Sequence, residues 1–239
     1  MKLAVIDTET TGVDITKDAP VQISAITVVP GEAPEVLFDV LCNPGRPIPQ
    51  EASNVHKVTD EMVAGKPAAE AMAMWAEQMV AWSQADVLVS FNGKTFDIPL
   101  LQRYCAGQTL DLWGSLPHLD VLDVAYRFFP AMDNHRLGTI YKALFGQSAE
   151  QAHNAIADVA YTYHVLDALR VKIGMTYEQL IEEMKEPKVY TVLPIGKYKG
   201  TVWQDVPKGW ANYLLKVNEE KMNLMRADLR VTLEAIVAR

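Results

Sequence analysis

Lys2 to Asp7 (KLAVID) is a short apolar run closed by a Thr/Gly segment, the pattern of a buried strand. Val21 to Val29 (VQISAITVV) and Val36 to Leu41 (VLFDVL) predict two more, with Thr11-Gly12 and Pro30-Gly31 as turns. Residues 43–67 hold several prolines and little periodicity, which predicts a long irregular excursion. From Ala68 to Trp82, Met72, Trp75, Met79 and Trp82 recur at helical spacing. Asp86 to Phe91 predicts a fourth strand, and a helix follows over about 97–105. Asp120 is placed to cap a helix running to Phe129. Further helices are predicted at 137–145, 155–172 and 177–184. Three strands followed by alternating strands and helices predict an α/β fold with a mixed sheet.

Pro187 and Pro194 bracket a change of character. Beyond them lies the basic turn Gly196-Lys197-Tyr198-Lys199-Gly200, then helices predicted at 210–217 and 225–238. The expected organisation is a main domain over 1–186 and a small appendage over 187–239, near the lower size limit for folding alone.

Length and composition fit this plan. The chain has 239 residues, 49% hydrophobic and 22% charged, an ordinary globular balance. Its two cysteines, Cys42 and Cys105, exclude a disulfide scaffold and suit a reducing cytosol. No stretch predicts a secretory leader or a membrane span, so the expected location is the cytoplasm, of the host for a viral chain. The net charge of −8 is unevenly spread. Residues 187–239 carry nine Lys/Arg against five Asp/Glu, a balance of +4, which leaves −12 for the remainder. An acidic body with a basic tail suggests two roles in one chain.

Some of that acid stands where a metal site needs it. Strand side chains alternate faces, so Asp7 and Glu9 point the same way at the end of the first strand. Asp97 opens a helix after the fourth strand, at an end where open sheets bind ligands. His153 and Asp158 would stand ~140° apart on an unbroken helix. If Asn154 caps the helix, His153 falls on the loop and Asp158 on the first turns. Each feature alone has a plain structural explanation: a strand end, a helix-dipole residue, a surface histidine. Together, the four carboxylates have the chemistry to hold two Mg²⁺ or Mn²⁺ ions ~3.5–4 Å apart, with His153 as the base that takes a proton from water.

The segments IDTETTG (6–12), FNGKTFDIPLL (91–101) and HNAIADVAYTYHVL (153–166) resemble, in order, the three motifs of the DEDDh family of 3′→5′ exonucleases. VHKVTDEMVAGKP (55–67) resembles another recurrent segment of that family. The resemblance covers about residues 1–173. It implies a ribonuclease H-like mixed sheet flanked by helices and two-metal hydrolysis of phosphodiesters from a 3′ end. It further implies Asp7, Glu9, Asp97 and Asp158 as metal ligands, and His153 as general base. Thr8, Thr10, Thr11, His56, Lys57, Phe91 and Asn92 fall at its substrate-binding positions. Gln22 stands where many members have Glu, Lys57 where many have Gly, and FNGKTFD replaces the commoner HNAxFD.

PIGKYKG (194–200), with Trp203, Asp205-Val206-Pro207 and WANYLL (210–215), resembles the C-terminal segment of exonuclease X-type proteins. Lys197 and Lys199 have the chemistry to contact phosphate while Tyr198 stacks on a base. The alternative is a solvated basic turn with Tyr198 and Trp203 packed into a small core. The expected substrate is the single-stranded or frayed 3′ end of DNA, with RNA as the first rival. A proofreading subunit beside a polymerase or other protein partner is a second alternative, and a catalytically idle nucleic-acid-binding module a third.

Overall fold

The computed structural model describes residues 1–105, 115–148, 155–220 and 225–239. Among the described residues, five strands form one mixed sheet in the order β3-β2-β1-β4-β5. They are β1 (Leu3–Thr10), β2 (Pro20–Val28), β3 (Glu35–Leu41), β4 (Val87–Ser90) and β5 (His118–Asp120). β1 pairs antiparallel with β2 and parallel with β4, so it lies in the middle of the sheet. Its sequence LAVIDTET is buried throughout except for partial exposure at Asp7 and Glu9.

The β1–β4 pairing covers only Leu3, Ala4 and Val5, opposite Val87, Leu88 and Val89. β1 runs on to Thr10 without that neighbour. Its distal half therefore has peptide groups open to other partners, and the site makes use of one.

The irregular excursion expected over 43–67 contains two short helices, α1 (Gln50–His56) and α2 (Asp60–Val63). Lys57 closes α1 in the left-handed region at φ 64°. Glycine adopts that conformation at least cost, which suits the glycine common at this position in the resembled family. Here the Lys57 Nζ donates to the Asn54 carbonyl and ties the turn.

The 14-residue α3 (Ala69–Trp82) buries its small side chains most deeply. Ala69, Ala73, Ala76 and Val80 are buried, whereas Met72, Trp75 and Met79 flank the contact and Trp82 is 72% exposed. The small side chains let the helix backbone approach Ile6, Ile23, Ala25 and Phe38 of the sheet, and Trp75 meets Phe38 edge-on at 5.3 Å. Then come α4 (Asp97–Cys105), α5 (Val121–Phe128), α6 (Leu137–Phe145), α7 (Ala155–Ile173) and α8 (Tyr177–Lys185). Thr176 and Gln179 start α8 with a reciprocal capping box. A 3₁₀ turn (Trp203–Asp205), α9 (Lys208–Glu220) and α10 (Ala227–Ala238) follow.

The chain divides into two compact units. The first comprises Met1–Val121 with Leu137–Asp167 and contains the sheet. The second comprises Leu122–Arg136 with Ala168–Arg239. Its core gathers Leu193, Val206, Ala211, Leu233 and Ile236, lined by Tyr198, Trp203 and Trp210. Arg127 joins three stretches of this second unit. Its guanidinium donates to both Asp228 oxygens and to the carbonyls of Glu183 and Glu186.

The Arg127 and Asp228 side chains are only 8% and 7% exposed. Removing one partner of such a pair leaves a buried charge, at a cost of about 3–5 kcal/mol. Arg127→Ala is expected to lower the stability of the second unit by that amount in chemical denaturation. Replacing both partners with apolar residues should recover most of the loss. A loss below about 1 kcal/mol would contradict this role for the pair.

Candidate functional site

Asp7 and Glu9 project from one face of β1, as their spacing requires. Asp158 stands in the first turn of α7. The three carboxylates each offer an oxygen within 4.8 Å of the others. Asp97, the first residue of α4, is 3% exposed and adds its charge to theirs. Its Oδ1 accepts the Thr8 N–H at 3.0 Å and the Thr8 hydroxyl at 2.5 Å. The Thr8 N–H lies on the stretch of β1 beyond its pairing with β4, so a carboxylate takes a place that the ladder leaves open.

The electrostatics follow from burial and like charge. Burial pushes the Asp7 carboxyl well above its usual range, and the charges of Asp97, Glu9 and Asp158 push it further. Glu9 rises to about 8, from burial first and then from Asp158 and Asp97. Burial raises Asp97 to about 6, against the lowering effect of the Thr8 bonds. Hard carboxylate oxygens held this close fit a hard divalent cation, whose charge would relieve the repulsion.

The residues expected to touch substrate have internal partners as well. The Thr10 hydroxyl donates to the Gly12 carbonyl at 2.6 Å. Thr11 donates to Asp18 and accepts from the Ala19 N–H. Asp18 also receives the Asp14 N–H, and a Cβ on Gly12 would lie 2.6 Å from its Oδ2, so a larger residue there would displace this carboxylate. These bonds fix the loop that leaves β1 beside Glu9. His56 is buried, and its Nδ1 accepts the Val58 N–H at 3.0 Å. Phe91 and Asn92 are half-buried on the turn before α4, where Asn92 is left-handed at φ 71°. His153 and its expected cap Asn154 lie outside the described residues.

In the basic turn, the Tyr198 ring meets Trp210 edge-on at 5.0 Å, and the Lys197 ammonium lies 5.5 Å from the Tyr198 centroid. Tyr198 is thus half-buried against the small core, while both lysines are exposed. Lys199 donates to the Asp133 carbonyl.

Sequence reasoning gave Asp120 only a helix cap. It ends β5, is fully buried, and accepts the N–H groups of Asn92 at 2.9 Å and Lys94 at 3.1 Å. A three-residue strand offers no alternation to read, so the sequence carried no signal of this.

The exonuclease family model (RNase T type) matches residues 4–166, which include all four carboxylates and His153. An epsilon-subunit-like protein of DNA polymerase III from Rhodobacter capsulatus is 34% identical over 196 residues, covering 78% of this chain and 27% of its own length. A PolC-type DNA polymerase III from Pediococcus pentosaceus is 27% identical over 194 residues, covering 79% of this chain and 13% of its own. The chain thus spans about a quarter or less of these relatives. Among solved structures, exonuclease X in complex with 5′ overhanging duplex DNA superposes with a TM-score of 0.54 at 24% identity, covering 75% of this chain and 98% of that one. Exonuclease I of E. coli in complex with a dA16 oligonucleotide gives 0.59 at 21%, covering 76% and 42%. At these identities the likeness is one of fold, the ribonuclease H-like mixed sheet flanked by helices. On the match over residues 4–166, the chain belongs to the exonuclease family.

Proposed function

We propose that the chain is a metal-dependent 3′→5′ exonuclease that hydrolyses DNA from its 3′ end. The observation that carries this reading is the group of Asp7, Glu9 and Asp158, with Asp97 fixed beside it by Thr8, in a chain of the exonuclease family. Asp7, Glu9, Asp97 and Asp158 would hold two divalent ions, Mg²⁺ or Mn²⁺, which would lower the pKa of a bound water and neutralise charge on the leaving oxygen. His153 takes the proton from the attacking water. Thr8 keeps Asp97 oriented through its N–H and hydroxyl. Thr10, Thr11, Phe91 and Asn92 border the place of the terminal nucleotide, and His56 and Lys57 support it from α1.

The experiment is digestion of 5′-labelled single-stranded DNA, duplex DNA and RNA by purified protein with Mg²⁺, with Mn²⁺ and with excess chelator. DNA should be degraded faster than RNA, and only with metal. Faster degradation of RNA would favour an exoribonuclease. No turnover on any substrate would leave the idle nucleic-acid-binding module. A second reading has support in the two polymerase relatives: the chain serves a polymerase as its proofreading component. Stable co-elution with a replicative polymerase would establish that partner.

Residues 187–239, proposed as a nucleic-acid-binding segment, complement the acidic body. A body at −12 repels the phosphate backbone, and exposed Lys197 and Lys199 offset this. Each phosphate contact on a single strand adds about −0.7 to the log–log salt slope. Replacing both lysines with alanine should weaken binding and flatten the slope by roughly 1–2 units, with saturated turnover little changed. The measurement is binding across a salt series with Ca²⁺ in place of Mg²⁺. An unchanged slope would assign the tail to protein docking.

A further inference from the structure

Asp97 is delivered to the site by the turn over residues 91–96, and this turn is unusually constrained. Asn92 holds a left-handed conformation, which asparagine adopts more readily than other side-chain-bearing residues. Gly93 is crowded so closely that a Cβ there would lie 2.3 Å from the Ser90 hydroxyl and 3.3 Å from Asp97 Oδ2. The Gly93 carbonyl accepts the Ile98 N–H at 2.9 Å, which couples the turn to the start of α4. Neighbouring side chains hold the turn in this conformation.

Those groups come from the neighbouring strand. β5 pairs in parallel with β4, with Ser90 opposite Asp120. Ser90, His118 and Asp120 share one face of the sheet through this register. The Asp120 carboxylate accepts the Asn92 N–H at one oxygen and the Lys94 N–H at the other. The Ser90 hydroxyl accepts the Gly93 N–H at 3.1 Å and lies 2.7 Å from His118 Nε2. Three successive backbone N–H groups, of residues 92, 93 and 94, are therefore held by side chains of β4 and β5. Hydrogen bonds to an ionised carboxylate are about twice as strong as neutral ones, and Asp120 supplies two of the three.

We propose that Asp120 is a positioning residue of the metal site: by holding the Asn92 and Lys94 amides it sets the turn that brings Asp97 to Thr8 and to the other carboxylates. Ser90 assists through the Gly93 amide. This rests on the reading of the carboxylates as metal ligands. Asp120 acts through the turn, since its two oxygens accept the Asn92 and Lys94 amides. Partners that orient metal ligands typically contribute 10–100-fold to metal affinity or activity.

The test uses the full chain and Mn²⁺. Asp120→Asn presents an amide NH₂ where the carboxylate accepted, so one of the two backbone N–H groups loses its acceptor. Expected are faster hydrogen exchange at the Asn92 and Lys94 amides and a roughly 10-fold weaker Mn²⁺ affinity by direct titration. The Mn²⁺ midpoint for hydrolysis should rise to match, with turnover at saturating Mn²⁺ within about threefold of wild type. Ser90→Ala removes an acceptor without changing charge, so it separates positioning from simple loss of a negative charge near the ions. It should raise the midpoint in the same direction, by about threefold.

If Asp120→Asn does not fold, Ser90→Ala decides the matter alone. A folded Asp120→Asn with wild-type exchange and Mn²⁺ affinity would overturn the proposal. So would a Ser90→Ala protein with a wild-type midpoint. A wild-type chain that binds Mn²⁺ but hydrolyses nothing would instead refute the nuclease reading.

Discussion

Asp7→Ala is expected to abolish metal-dependent hydrolysis and, in the metal-free protein, to raise the melting temperature. The two effects have one cause. Asp7 is buried among Asp97, Glu9 and Asp158, so its charge is costly until cations neutralise the group. Removing it relieves repulsion in the empty site and removes a ligand from the loaded one. The sign of the pH dependence follows. Glu9 has a folded-state value of about 8 against an ordinary carboxyl value of 4.5, so the folded state binds the extra proton between those limits. Metal-free stability is therefore greatest at the acidic end of that window and falls as pH rises through about 8. Saturating Mn²⁺ should reverse this trend, because metal binds the deprotonated form. Thermal melts of wild type and Asp7→Ala from pH 5 to 9, with chelator and with Mn²⁺, check every part. A metal-free Asp7→Ala protein that melts below wild type across the range would contradict the crowding of the carboxylates.

His153→Ala is expected to lose about 10²–10⁴-fold in turnover, the usual contribution of a positioned general base, while Mn²⁺ affinity stays near wild type. This split separates a base from a ligand. Loss of Asp7 removes binding and turnover together, whereas loss of His153 removes turnover alone. In the wild type, the rate should fall as acid protonates the imidazole, and the variant should lack that limb of the profile. Single-turnover rates across pH, paired with Mn²⁺ titration, provide the comparison. A variant rate equal to wild type would assign the proton to another acceptor.

The parts legible in the sequence were those set by local pattern. β1 and β2 are buried, β-branched strands, and the Asp7–Glu9 spacing fixed their common face. Asp158 was readable because helix α7 begins at Ala155 and places it in the first turn. The parts that escaped depend on distant contacts. The pairing of Thr8 with Asp97 spans 89 positions and arises because β4 stops accompanying β1 after Val5. The helical spacing over 68–82 gave α3, but not that its alanines take the closest approach to the sheet, which depends on Ile6, Ile23, Ala25 and Phe38. β5 is three residues long, too short for any periodicity, so the part played by Asp120 appeared only in three dimensions.

The direction and metal dependence of digestion bear most directly on the nuclease reading. Single-stranded DNA labelled at its 5′ end, and the same strand labelled at its 3′ end, would be incubated with wild-type protein and Mg²⁺, with an Asp7→Ala control. The carboxylate site and family membership predict a ladder shortening from the 3′ side on the first substrate and immediate release of a labelled mononucleotide from the second. Both should be absent with chelator and with Asp7→Ala. Release of the 5′ label first, or equal digestion in excess chelator, would contradict it.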